Sequence, residues 1–282
     1  MSGATRVAPL FCFIYACRMR ILLTNDDGIE AAGLHALYRA VADLGEVQVV
    51  APLKVQSATS HAITLHRFMD VTPYSCDLFE GLAVDGRPAD CVKLAVAELL
   101  PTRPDLVLSG INHGANVGVN VHYSGTVGAA REGAFMGLPS IALSLHIGDW
   151  DHDHWARAAN HARRAIDATL AAGIAQGTLV NINVPVLDGG AEPKGMRAVP
   201  LNTSAMNDRY DTDSPEDAGF ERTAPMRYRA RDSMAFSDRG TGTDVDTLFD
   251  KYITLTPLHF EQTDTDAVGH LAACLDANDT SR

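Results

Sequence analysis

Arg20-Ile-Leu-Leu-Thr-Asn-Asp-Asp-Gly28 decides how this chain is read. Arg20 to Thr24 is an apolar run bounded by turn residues, the pattern of a strand buried on both faces of a parallel sheet. Asn25-Asp-Asp-Gly28 stops it. Leu34, Leu37, Tyr38, Val41 and Leu44 then recur at helical spacing until Gly45. Glu46 to Ala51 forms the next strand. Strand, helix and strand within about thirty residues make a βαβ unit, for which the right-handed crossover is the default. The alternation continues with a helix from Pro88 to Leu100, a strand from Asp105 to Ser109 and a small-residue helix from Thr126 to Met136. A strand at Ser140–Leu145, a long helix at Trp155–Ala172 and a strand at Leu179–Val184 follow. This order predicts an α/β fold, a doubly wound, Rossmann-like and mostly parallel sheet. His61 to Gly86 breaks the pattern. Ala62–His66 and Arg67–Pro73 are expected as the short antiparallel strands of a β-hairpin insertion.

Three regions follow: an N-terminal extension at 1–18, a Rossmann-like catalytic core at 19–190 and a C-terminal region at 191–282. Leu10 to Cys17 is apolar but too short to span a bilayer, and it has no clear small-x-small cleavage site. Met19 is expected as the functional start, with the extension dispensable. Asn202 to Asp250 carries eleven acidic and six basic residues with few aliphatic ones. It is read either as a solvated segment or as an extended C-terminal arm that packs on another subunit, because so long a loop in a compact domain is functional or disordered. No helix is expected there. Tyr252–Pro257 restores a strand and Asp264–Leu275 a terminal helix.

The formal net charge is −12. That balance argues against binding nucleic-acid polymers, which needs Lys and Arg to neutralise phosphates, and no basic run suits an anionic membrane. A small phosphate ester remains open, provided a metal or a local dipole supplies positive charge. The five cysteines are odd in number and contain no Cys-x-x-Cys pair, which fits reduced thiols in a cytoplasmic protein.

Four constellations carry chemistry. Asp26 and Asp27 end the first strand, where open α/β sheets bind ligands. Adjacent carboxylates repel, so a shared cation resolves the repulsion; the alternative is one Asp capping the helix and the other solvated. Ser109-Gly-Ile-Asn-His-Gly-Ala-Asn-Val-Gly118 follows another strand of the same sheet, so Asn112 and Asn116 can face the Asp pair. Its glycines permit close approach to a ligand, and Asn112 offers an amide oxygen suited to Mg²⁺ or Mn²⁺. Ser124, Gly125 and Thr126 open a helix whose free N–H groups and dipole suit a phosphate, although capping alone explains Ser124. The loop after the second strand offers Ser57 as a further oxygen ligand and Thr59 or His61 as phosphate contacts, His61 with a charge switch near neutral pH. The first βα turn lacks Gly-x-Gly-x-x-Gly, and neither a Gly-x-Ser-x-Gly elbow nor a Walker lysine occurs. A metal-activated water is the remaining economical nucleophile.

The chain resembles the SurE family, the stationary-phase survival nucleotidases. The resemblance rests on residues 20–28, Val-Val-Ala-Pro at 49–52 with Ser57, Arg-Pro-Ala-Asp-Cys-Val-Lys-Leu at 87–94, residues 109–118 and Tyr-Ser-Gly-Thr-Val at 123–127. Asn-Ile-Asn-Val-Pro at 181–185, Gly-Thr-Asp at 242–244 and Tyr-Ile-Thr-Leu-Thr-Pro-Leu at 252–258 extend it to about His259. It implies hydrolysis of nucleoside 5′- and 3′-monophosphates to nucleoside and phosphate, with short polyphosphate as a side substrate. It also implies a metal at Asp26, Asp27, Ser57 and Asn112, and a phosphate region at Asn116 and Ser124–Thr126. Asp26 and Asp27 would serve catalysis by anchoring the ion, one of them accepting the proton of the attacking water. A homodimer or homotetramer joined through the arm is implied as well. Two rivals stand beside this reading: a non-catalytic nucleotide-binding module on the same fold, and a metal-dependent glycosyltransferase, which would carry an Asp-x-Asp after a strand.

Overall fold

The computed structural model describes residues 18–146, 154–185, 187, 191–207, 209–212, 227–230 and 236–279. Its core is a nine-stranded sheet in the order β3-β4-β2-β1-β5-β6-β7-β11-β8. The strands are β1 (Met19–Thr24), β2 (Gly45–Pro52), β3 (Val71–Ser75), β4 (Glu80–Val84), β5 (Leu106–His113), β6 (Ser140–Leu145), β7 (Thr178–Val184), β8 (Met196–Ala198) and β11 (Ile253–His259). Strands β4, β2, β1, β5, β6 and β7 run parallel. β3 and β11 pair antiparallel with β4 and β7.

β1 shows why an unbroken apolar strand belongs here. Ile21 and Leu23 face a core closed by α1 (Ala32–Val41) and α4 (His154–Ala172). Leu22, between them, faces the opposite core, beneath α2 (Pro88–Leu94) and α3 (Gly125–Phe135). All three are fully buried, as expected of a strand covered on both faces. β1 lies between β2 and β5, so the chain leaves it to opposite sides in successive crossovers. The crevice at the carboxyl ends of β1 and β5 is therefore the topological switch point, where ligands bind in open α/β sheets.

Several expectations change. The hairpin exists but lies at Val71–Val84, where β4 joins β2 and β3 pairs outside it. Residues 62–69 alternate like a strand yet form none: the Thr64 amide donates to the Asp90 carboxylate and His66 has φ +66°. β5 extends to His113, four residues beyond the expected strand, with a register shift between Ser109 and Asn112. The stretch 202–250 contains a helix, α5 (Asp244–Phe249), where none was expected. The described part of the arm includes β9 (Tyr210–Thr212) and β10 (Tyr228–Ala230), a separate antiparallel pair; 208, 213–226 and 231–235 lie outside the described residues, as do 1–17 of the N-terminal extension. The terminal helix is α6 (Thr265–Asp279).

Candidate active site

The turn after β1 is built around its own backbone. Asn25 donates to the Gly28 carbonyl (2.8 Å) and accepts from the Gly28 amide (3.2 Å). Gly28 has φ +99°, a conformation that disfavours side-chain-bearing residues. The Ile29 amide bonds the carbonyl of Pro52 at the end of β2. This turn holds Asp26 and Asp27 over the switch point. Neither caps α1: its N-cap is Ala31, with no side-chain bond.

Asp26 is buried. Its Oδ1 accepts from the Thr126 hydroxyl at 2.5 Å. Gly125 permits this approach, because a Cβ there would lie 2.9 Å from that of Asp26. Burial pushes the Asp26 carboxyl up to about 6, the Thr126 hydrogen bond opposing and the neighbouring Asp27 charge adding to the rise. Asp27 Oδ2 accepts the His113 amide (3.0 Å), which draws the end of β5 against the pair. Asn112, the residue before, donates its Nδ2 to the Gly114 carbonyl (2.7 Å), so Oδ1 is the atom it could offer to a cation. The Gln56 amide donates to the Asp26 carbonyl (2.7 Å), so Ser57 follows directly beside the pair.

The structure thus brings Asp26, Asp27, Gly125 and Thr126 to one place, and bonds the backbone next to Ser57 and Asn112 to the aspartate pair. Among the described residues, no Lys, Arg or His forms an ion pair with either aspartate, and no three His, Cys, Asp or Glu side chains are grouped so that they could hold a metal ion. A cation here would be held by two carboxylates completed by amide and hydroxyl oxygens. That donor set fits a hard ion such as Mg²⁺ or Mn²⁺ and fits Zn²⁺ poorly.

Ser124 is the N-cap of α3, its Oγ accepting from the Val127 amide (3.1 Å). The Thr126 amide is turned to the Asp26 carboxylate, which leaves the Gly125 amide and the positive end of the helix for a ligand. Thr59 is engaged locally, its hydroxyl on the Gln56 carbonyl. His61, read from the sequence as a phosphate contact, points elsewhere. Its Nε2 lies 2.8 Å from Oε2 of Glu132, whose Oε1 takes Lys93 Nζ at 3.0 Å. Glu132 stands six residues beyond Thr126, about 9 Å along the helix axis. Burial pushes the Glu132 carboxyl up, and the His61 and Lys93 hydrogen bonds outweigh it, leaving it below the usual range. His61 therefore fastens its loop to α3. Asn116 is buried and tied to Ser144, Asn181 and Asn183. The sequence reading missed these partners, although two asparagines alternating within the apolar strand Leu179–Val184 were the available signal.

The family described as "Survival protein SurE" matches residues 21–208. A protein named 5'-nucleotidase SurE from Heliobacterium modesticaldum is 41% identical over 253 residues, covering 87% of this chain and 88% of that protein. A protein of the same name from Solidesulfovibrio magneticus is 42% identical over 267 residues, covering 91% and 98%. The crystal structure of the SurE protein from Aquifex aeolicus superposes with a TM-score of 0.74 at 32% identity, over 90% of this chain and 99% of that one. With the family match spanning most of the α/β core and the relatives spanning most of the chain, this protein belongs to the SurE family.

Proposed function

We propose that this protein is a divalent-metal-dependent 5′-nucleotidase, hydrolysing nucleoside monophosphates to nucleoside and phosphate at the switch point of β1 and β5. The observation that carries this is the buried Asp26 carboxylate, set beside Asp27 with no protein cation paired to either among the described residues; Asn112 and Ser57 would complete the oxygen set around a bound ion. When bound, a divalent ion supplies Lewis acidity and neutralises charge. Asp26 and Asp27 hold it, and one of them accepts the proton of the attacking water. The Gly125 amide and the positive end of α3 orient the phosphoryl group and stabilise its charge. The Thr126 hydroxyl keeps Asp26 aimed, and Asn112 would offer its Oδ1 to the cation. Catalysis is then mostly positioning and electrostatics.

The same site accommodates 3′-monophosphates and short polyphosphate, since its contacts engage the phosphoryl group rather than a base. We place the protein in the cytoplasm as a homo-oligomer joined through the C-terminal arm. Among the described residues no helix is long and apolar enough to cross a membrane, and Cys76, Cys91 and Cys274 are free thiols. Assaying phosphate release from nucleoside 5′- and 3′-monophosphates and tripolyphosphate, with Mn²⁺ or Mg²⁺ and with excess EDTA, tests the proposal. Release from AMP that requires metal supports it. Tight AMP binding without release points to a non-catalytic binding module and overturns it.

A further inference from the structure

Asn183 and Asp244 lie outside the metal and phosphate shells, yet both reach the loop that connects those shells. Asn183 is the next-to-last residue of β7, beside Ser144 of β6 and Thr254 of β11 in register, and is fully buried. A polar amide inside a sheet is destabilising unless its hydrogen bonds are made. Here they are made to one residue. Asn183 Oδ1 accepts the Asn116 amide (2.8 Å) and its Nδ2 donates to the Asn116 carbonyl (3.1 Å). The side chain thus grips both backbone groups of Asn116. Asn181 Nδ2 donates to the same carbonyl (2.7 Å), and Asn116 Nδ2 donates to Ser144 Oγ (2.8 Å), which fixes the Asn116 side chain.

Two residues on, Asp244 grips the loop again. This carboxylate is fully buried. Its Oδ2 accepts the Gly118 amide (2.9 Å), and its Oδ1 accepts the amides of Asn202 (2.8 Å) and Val245 (2.9 Å). Gly118 has φ +54°, and a Cβ there would lie 2.5 Å from the Phe236 ring. Between the grips, Val117 is buried against Val245 and Leu248. The loop leaves Asn112 at one end and leads through the single 3₁₀ turn Gly118–His122 to Ser124 at the other. The clamp therefore stands between the cation ligand and the phosphate-facing helix start.

We propose that Asn183 and Asp244 are positioning residues for the reaction. Asn183, with Asn181 and Ser144, holds Asn116, and Asp244 holds Gly118; together they set the spacing between the cation site and the start of α3. Asp244 also ties the roots of the C-terminal segment, at Asn202 and Val245, to this loop. The inference rests on the nucleotidase reading above.

The test uses the full chain. Asn183→Leu keeps the branched four-atom side-chain shape and removes both bonds to Asn116. The expected result is a fall in kcat/KM for AMP of about 100-fold, carried mainly by kcat, the size of loss a misplaced reacting group produces. Mn²⁺ affinity by calorimetry should stay within about threefold, since Asp26, Asp27 and Ser57 are untouched. A merely structural role would instead lower Mn²⁺ affinity and turnover together with the folded fraction measured by circular dichroism, and that result overturns the proposal. So does a variant with wild-type kcat and KM. If Asn183→Leu does not fold, Ser144→Ala decides: a loss in kcat/KM of about five- to tenfold at unchanged folded fraction supports the clamp, and wild-type kinetics overturn it. Wild-type protein that releases no phosphate from AMP breaks the functional reading, and the clamp with it. A wild type that turns over, matched by its variants, breaks the clamp alone.

Discussion

Two loops bring site residues to the same crevice, and they are held in opposite ways. The loop at 109–118 is fastened from below, by Asn181, Asn183 and Ser144 in the sheet and by the buried Asp244. The loop at 53–69 is fastened from the side, by the Ser60 amide on the Tyr123 carbonyl, the Ser60 hydroxyl on the His122 carbonyl, His61 on Glu132 and the Thr64 amide on Asp90. Around these fastenings it leaves apolar side chains in water: Phe68 is 98% exposed and Leu65 64%. Buried bonds that have no water to replace them resist local opening, whereas bonds at the surface open at low cost. The first loop is therefore the rigid half of the site and the second the adaptable half.

The largest expected effect separates the cation anchor from everything else. Asp27→Asn removes a charge from the pair but keeps an acceptor for the His113 amide. Metal-supported AMP hydrolysis should fall by about a thousandfold or more, several kcal/mol of transition-state stabilisation, with the far-ultraviolet circular dichroism unchanged. Retained turnover would move the chemistry away from the aspartate pair.

Next comes the electrostatic cost of that rigidity. The Asp26 carboxyl, ordinarily at 3.8, sits at about 6 in the fold because burial disfavours its ionised form. Its contribution to stability is therefore present below pH 3.8 and lost as pH rises through about 6. At about 1.4 kcal/mol per pH unit, the gap amounts to about 3 kcal/mol near neutral pH. Asp26→Asn should thus stabilise the metal-free protein at pH 8 and have little effect at pH 3.5. Urea denaturation at the two pH values measures it, and Mn²⁺ should stabilise the wild type more than the variant.

A smaller effect tests the side fastening. Asp90 accepts the Thr64 amide (2.9 Å) and, in the first turn of α2, the Arg87 amide (2.8 Å). Asp90→Ala should cost about 1–2 kcal/mol, the range of a lost helix cap, and should raise KM for AMP more than it lowers kcat. A fall in kcat alone would mean that this loop is as rigid as the other. Phe68→Ser should change stability by less than about 0.5 kcal/mol, since the ring packs on nothing. Thermal melts check both.

How much was legible in the sequence follows the same division. Elements made by local patterns were readable: the apolar run of β1, the helical spacing of α1, the capping serine of α3 and the carboxylate pair at a strand end. What depends on pairing was not. The alternation at 62–69 looks like a strand, but its backbone is taken by the Asp90 side chain and no neighbour strand is offered. His61 looked like a phosphate contact because its partner, Glu132, is 71 residues away. Asp244 reaches Gly118 across 126 residues, and nothing in Gly-Thr-Asp at 242–244 announces that contact. α5 is six residues long, too short for its periodicity to stand out in an acidic stretch.

The central claim is that Asp26 and Asp27 hold a cation without which phosphate is not released. Its most direct test is a Mn²⁺ titration of metal-stripped wild type and Asp27→Asn, following phosphate release from AMP. The account predicts no release from either protein at the start, saturable restoration in the wild type and none in Asp27→Asn at the same Mn²⁺ concentrations. Release by the stripped wild type in excess EDTA, or equal restoration in both proteins, would contradict it.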